Sequence, residues 1–330
     1  MKHTKHIIGV KRVRRARSAL GWIASRKAAH CAILVGALAV LLAATPAAAK
    51  LHIVATLSDL GSLAQQVGGD RVEVTYLCDG YRDPHHLEPK PSYARSVRGA
   101  DLLVYDGLEL EVGWLPPLLD TARNPDLRPG SQALLEASSA ITKVLEVPTT
   151  PIDRSQGDLH PFGNPHYLLD PRNGVAVAEA IAERLAVLDP AGASYYEERA
   201  AAYRKHMDAR IAEWEKEAAS LKGVPVATYH KQWEYLADWL GLDVVGYIEN
   251  RPGIPPSPRH VESLIKTLSS RQAKFIIVST FADVKATEEV ARRAGTTAVV
   301  LPAGVGGVDG TGTYEDLIDT IVKRLLGAAA

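Results

Sequence analysis

Cysteine is nearly absent: 330 residues contain two, Cys31 and Cys78. Acid is missing from residues 1–31, which carry nine Lys or Arg. The apolar stretch AILVGALAVLLAA (32–44) has thirteen residues, short of the about 20 that a helix needs to cross a bilayer. A basic segment, a short apolar run and then TPAAAK make a secretory leader, with cleavage expected after Ala49. The AAHC around Cys31 precedes the apolar run and lacks a lipid-attachment context, so no lipoprotein is expected. Cys31 leaves with the leader, and Cys78 alone cannot form an internal disulfide, so the fold must rest on its core. The sequence also has no H-E-x-x-H motif, no internal repeat and no low-complexity tail.

Charge excludes a further class. Of 38 Lys and Arg, nine precede residue 50, whereas all 38 Asp and Glu follow it. Residues 50–330 therefore carry 29 bases against 38 acids, a net charge near −9. A mildly acidic exported chain is a poor match for nucleic acid, whose affinity comes mainly from Lys and Arg on phosphates. The mature length suffices for two ordinary domains.

Short apolar runs alternate with helical patterns. Strands are expected at LHIVAT (51–56), VEVTYL (72–77), LLVYD (102–106), VPVATY (224–229), LDVVGYI (242–248), KFIIVST (274–280) and AVVLP (298–302). Helical pieces lie between them, among them SDLGSLAQQVG, PRHVESLIKTLSS and VKATEEVARRAG. Nearly unbroken apolar strands in βα alternation imply parallel sheets covered by helices. The pattern occurs twice, separated by a helical stretch from Pro171 to Leu221. There Val177, Ile181, Leu185 and Leu188, then Tyr196, Ala200, Tyr203, Met207, Ile211 and Trp214, recur at helical spacing. Asp189-Pro190 supplies a cap and a first-turn proline that restart a helix of some 30 residues, about 45 Å long. The fold expected is α/β, two lobes joined by one long rigid helix. Its boundaries are a leader at 1–49, an N-terminal lobe at 50–189, the connecting helix at 190–222 and a C-terminal lobe at 223–330.

Histidines are where the polar exceptions gather. RDPHHLEPKPS (82–92) holds two adjacent imidazoles among three prolines, which exclude a helix interior or a central strand. On an extended segment neighbouring side chains point opposite ways, so His85 and His86 should not share one task. His85 follows the strand VEVTYL, His230 ends the strand VPVATYH, and His166 sits in GNPHYLLDP ahead of the helical stretch. Ligands of open α/β sheets collect beyond the carboxyl ends of strands. Three imidazoles meeting there would suit zinc or a similar borderline cation. Lone histidines are more often surface or satisfied core residues, so position alone leaves both readings open.

DPHHLEPKPS, GNPHYLLDP, ATYHKQWEYLADWLGL and IENRPGIPPSPRHVESL together resemble the signature segments of the metal-binding solute receptors of bacterial ABC importers. The match is with the zinc/manganese class and runs in order from about residue 51 to 327. The resemblance implies two (β/α) lobes and metal bound by His85, His166 and His230, with His86 a non-ligand neighbour. The chain departs from the family at the fourth ligand, commonly an Asp near Ala303–Val305 or a carboxylate at the position of Ser279. Water or an exogenous group, Asp283, His160 and Asp309 are the candidates for that place. Glu249 is a candidate for orienting a histidine, and His52, His206 and His260 are given no ligand role. Cys78 is a poor ligand, since a thiolate in an oxidising space is a liability.

The function this implies is capture of Zn²⁺ as transported cargo, with Mn²⁺ or another divalent metal also possible, and delivery to an ABC transporter permease. The expected setting is the periplasm and the expected form a monomer, with no enzyme activity and no nucleic acid. A periplasmic metallochaperone is a further expected partner. The rival readings are a receptor for a chelated metal or small organic ligand, a three-histidine zinc hydrolase, and an adhesin on the same fold. A hydrolase would need a positioned general base, for which Glu234 and Asp283 are the nearby acids.

Overall fold

The computed structural model describes residues 49–150 and 157–330. The expected leader, and Cys31 with it, lies outside the described residues. Among the described residues no helix is long and apolar enough to cross a membrane.

The first lobe opens with β1 (Leu51–Leu57), α1 (Ser58–Gly68) and β2 (Val72–Cys78). It continues with α2 (Pro91–Arg98), β3 (Leu102–Tyr105), α3 (Leu115–Ala122) and β4 (Leu134–Glu136). The strands lie in the order β2-β1-β3-β4, and every pairing is parallel. β1 is therefore interior, and Ile53, Val54 and Ala55 are fully buried because helices cover both faces. The second lobe repeats the plan with β5 (Pro225–Thr228), α6 (Glu234–Leu240), β6 (Asp243–Tyr247), α7 (Pro258–Arg271), β7 (Phe275–Ser279), α8 (Val284–Ala294), β8 (Thr297–Leu301) and α9 (Tyr314–Ala329). Its order, β6-β5-β7-β8, is again wholly parallel. The expected α/β class and its two parallel sheets are thus observed.

Three elements lie where the apolar pattern predicts none. α3 begins Leu-Pro-Pro, which resembles a breaker, but prolines in a first turn lack only N–H groups that a helix leaves unpaired there. β4 spans three residues, too few to set a period. α9 is fixed by a capping box in which Thr313 and Asp316 each accept from the other's backbone N–H.

The helical stretch between the sheets is α4 (Pro171–Leu188), a turn at Pro190–Gly192, and α5 (Ala193–Glu217) extended by a turn to Leu221. The long helix thus restarts at Asp189-Pro190 as the sequence indicates. Asp189 caps the turn, and its carboxylate also holds Arg71 at 2.7 Å and Tyr196 Oη at 2.9 Å. One face of α5 buries Tyr196, Ala200, Tyr203, Met207, Ile211 and Trp214, the set chosen by spacing. Arg210 lies over the Trp214 ring and pairs with Glu315 and Asp319, tying α5 to α9.

The two lobes also meet through a buried joint beneath the cleft. The first turn of α1 receives the loop after β8: Val305 N–H donates to Asp59 Oδ1 at 2.7 Å, and Ser58 Oγ donates to Val305 O at 2.8 Å. Gly80 comes so close that a Cβ there would lie 2.4 Å from Gly304 O. Burial pushes the Asp59 carboxyl up to about 7, against the opposing pull of the Val305 hydrogen bond. Ionised Asp59 is thus disfavoured in the folded state, so its contribution to stability declines as pH rises from about 4 to about 7. The Asp59→Asn variant keeps an acceptor for Val305 without the charge. Relative to wild type, its urea-unfolding free energy should rise across that pH window by up to roughly 4 kcal/mol; a pH-independent difference would contradict the assignment.

Candidate metal centre

Each histidine is set by a different local device. Asp83 accepts from the His85 backbone N–H at 2.9 Å and begins a 3-10 turn, Pro84–His86. This corrects one expectation: the segment is a tight turn, not extended, and His85 and His86 diverge by the turn's rotation, their ring centroids 6.2 Å apart. Trp114 Nε1 donates to Pro84 O at 2.8 Å and pins the turn to the loop after β3. His166 follows Asn164-Pro165, and Asn164 Oδ1 accepts its backbone N–H at 2.9 Å. Asn164 in turn donates to Lys231 O, fastening this segment beside His230. His230 follows β5, which stands beside β7 where the strand order of the second sheet reverses, the expected place for a ligand.

The side chains converge. His85, His166 and His230 each offer a nitrogen, and these three atoms lie within 4.8 Å of one another. Their ring centroids form a near-equilateral triangle of 5.2, 5.6 and 5.7 Å. His160 approaches from one side, its Nε2 3.2 Å from His85 Nε2, but like Asp283 it stands outside the group of donors mutually within 4.8 Å. Two nitrogens bound to one tetrahedral zinc at 2.0–2.1 Å stand about 3.3 Å apart, so this separation suits a shared ion.

Carboxylates hold two of the rings from behind. His85 Nδ1 lies 2.8 Å from Asp83 Oδ1, and His230 Nδ1 lies 2.9 Å from Glu249 Oε2. Each contact places the ring proton on Nδ1 and leaves the Nε2 lone pair for the cleft. Burial raises the Asp83 carboxyl, but its hydrogen bond and charge interaction with His85 outweigh that and bring it down to about 2. Burial, reinforced by the neighbouring imidazoles, holds His166 well below the ordinary histidine range. It is neutral at physiological pH, its buried Nε2 without a hydrogen-bond partner among the described residues. A buried lone pair with nothing to accept is what a metal ligand looks like before the metal.

The other candidates stand outside this group of donors. Asp283 lines the cleft but caps α8, its Oδ1 accepting from Ala286 N–H at 2.9 Å. It does not belong to the group of donors within 4.8 Å. Asp309 is exposed in the loop after β8. Ser279 is buried in the cleft wall, its hydroxyl without a hydrogen-bond partner among the described residues. His52, His206 and His260 engage Gly99 O, Glu315 and Tyr247 O respectively, away from the cluster. Burial and nearby Asp79 push the Cys78 thiol up to about 12, too high for a ready thiolate. The Glu234 carboxylate is shielded from water and raised to about 7 chiefly by desolvation, and Glu234 does not line the cleft. Sequence reasoning missed the orienting role of Asp83, although an Asp before Pro and two residues before a histidine is a turn-capping signal.

Imidazoles from both lobes meet in the cleft between two parallel sheets, and the family that the chain matches makes it a metal-binding solute receptor, the substrate-binding component of an ABC importer and not an enzyme. The chain belongs to the family described as zinc-uptake complex component A, periplasmic (ZnuA), whose model matches residues 53–328. It is 26% identical over 287 residues to the manganese-binding lipoprotein MntA of Halalkalibacterium halodurans, covering 83% of this chain and 88% of that protein. It is also 26% identical over 281 residues to the zinc-binding lipoprotein AdcA of Streptococcus pneumoniae serotype 4, covering 84% of this chain and 54% of that protein. Among solved structures, a ZnuA deletion mutant with zinc bound shares the fold at a TM-score of 0.71 and 24% identity, over 85% of this chain and 98% of that one.

The carboxylate tethers make a measurable difference to the site. Glu249→Gln and Asp83→Asn should each weaken metal binding roughly 10–100-fold, because the imidazole behind each loses its anionic acceptor. Titration against a competing chelator reads the change, and wild-type affinity in both variants would rule out the tethers as part of the site.

Proposed function

We propose that this protein captures Zn²⁺ in the periplasm, after removal of its leader, and delivers it as a monomer to the permease of an ABC importer. Loading by a periplasmic metallochaperone belongs to the same proposal. The observation that carries the choice of metal is the donor set: three imidazole nitrogens within 4.8 Å of one another and no carboxylate oxygen among them. Imidazole-rich sites suit zinc, whereas manganese sites use more carboxylate and water. Asp83 and Glu249 supply two negative charges one imidazole away from the ion, matching a divalent cargo without hard oxygen ligation. We assign the ligands as His85, His166 and His230, with His160 in the fourth position and Asp283 left on the wall. Nothing in this arrangement needs turnover; binding and release are the work.

Calorimetry of residues 50–330 should give one tight Zn²⁺ site and much weaker Mn²⁺ binding at neutral pH. Affinity should decline as pH falls through the imidazole range near 6.5, since a protonated ring cannot ligate. His85→Ala should abolish tight binding, and His160→Ala should weaken it at least about tenfold. Asp283→Ala should leave it unchanged. Undetectable zinc binding by wild type, or a preference for manganese, would refute the reading.

A further inference from the structure

Of the three assigned ligands, His85 and His230 have a carboxylate behind the ring and His166 has none. With Nε2 given to the ion, the His166 ring proton sits on Nδ1. A metal-bound histidine almost always donates that second N–H to a carboxylate, a backbone carbonyl or a water. Asn164 holds the His166 backbone, but among the described residues no carboxylate or carbonyl holds its ring. The remaining choice is a water, which needs a place and a second anchor.

Both are present. A cavity of about 50 Å³ lies against His166 and against none of His85, His160 and His230. One water needs about 10–15 Å³ and two to four polar partners. Asp59, Asp106 and Gln232, all buried, share the lining. Asp106, the residue after β3, is the one left incomplete: its Oδ2 is buried and has no hydrogen-bond partner among the described residues. Its neighbour Glu111 is fully served, accepting from Thr56 Oγ1 at 2.6 Å and from the Asp106 and Gly107 N–H groups at 2.7 and 3.1 Å. Buried polar atoms without a protein partner are usually completed by an ordered water or a ligand. The spacing to His166 is also fixed. Tyr167, the next residue, donates from Oη to Asp106 O at 2.8 Å, and Ser138 N–H donates to the same oxygen at 3.0 Å. Burial, reinforced by Glu111, raises the Asp106 carboxyl well above the ordinary range, so it is neutral and its oxygen accepts without adding a charge.

We propose that Asp106 is a positioning residue for His166, acting through one water in this cavity that accepts from His166 Nδ1–H and donates to the Asp106 carboxyl. The proposal rests on the ligand assignment above, and the two fail in distinguishable ways, because the ring tautomer is read without metal. The test compares residues 50–330 of wild type with Asp106→Leu and Asp106→Asn, both of which keep the shape of the side chain. In the metal-free wild type, nitrogen-15 NMR should show the His166 ring protonated at Nδ1 alone. Asp106→Leu should show both tautomers and bind Zn²⁺ roughly 10–100-fold more weakly. Without metal it should melt at the wild-type temperature or above, since an apolar group replaces a carboxyl that lacks a protein partner. Asp106→Asn keeps an acceptor for the water and should restore the single tautomer, with affinity within about threefold of wild type. Mixed tautomers in wild type overturn the proposal. So does Asp106→Leu with wild-type affinity, or with a lowered melting temperature, which would make Asp106 a structural residue. Asp106→Asn as weak as Asp106→Leu overturns it too, because the water would then have no part. Absence of tight zinc binding in wild type would instead sink the ligand assignment.

Discussion

The site depends on one kind of contact, a carboxylate behind an imidazole. Without Asp83 and Glu249, His85 and His230 could carry their ring proton on either nitrogen and rotate about two side-chain bonds. With them, each ring is held by one hydrogen bond and its Nε2 lone pair is aimed at the cleft. His166 reaches the same condition by another route, burial that keeps it neutral. The fold's task is to bring these three solutions together from distant parts of the chain. It does so by ending strands at the cleft and by stitching the Asn164 segment to the backbone beside His230.

The rigid parts serve that convergence. The parallel sheets put their carboxyl ends toward the cleft, and α4 and α5 join them as a helical spine. Asp189 links the turn between those helices to Arg71 in the first lobe, and Arg210 links α5 to α9 in the second. The joint around Asp59, Gly80 and Val305 adds a second connection, in which the Ser58 and Asp59 side chains bond the Val305 backbone and the Gly80 and Gly304 backbones meet directly. The loop after β8 is thereby committed to holding the lobes together, which explains why it offers the metal no ligand near Ala303–Val305.

Much of the fold was legible because buried parallel strands leave unbroken apolar runs, and a helix of 25 residues leaves a long stripe. β4 was illegible because three residues carry no period, and α3 because its prolines read as a stop until their place in the first turn is known. At the site, His85 and His230 could be read from their places just after strands. His160 could be named only as one of several candidates for the fourth place, since it lies in an irregular segment whose course is set by single hydrogen bonds between neighbouring loops. Asp283 shows how one carboxylate can be read two ways. Its residue type and its place near the cleft suggest a ligand, but its carboxylate serves the helix that follows it.

The buried joint and the histidine cluster respond to acid in opposite senses. A proton on Asp59 relieves a charge kept from water and makes the seam between the lobes more secure. Protons on the imidazoles expel the cargo. Mild acidification therefore works against metal binding at the imidazoles while easing the burial of Asp59 in the seam.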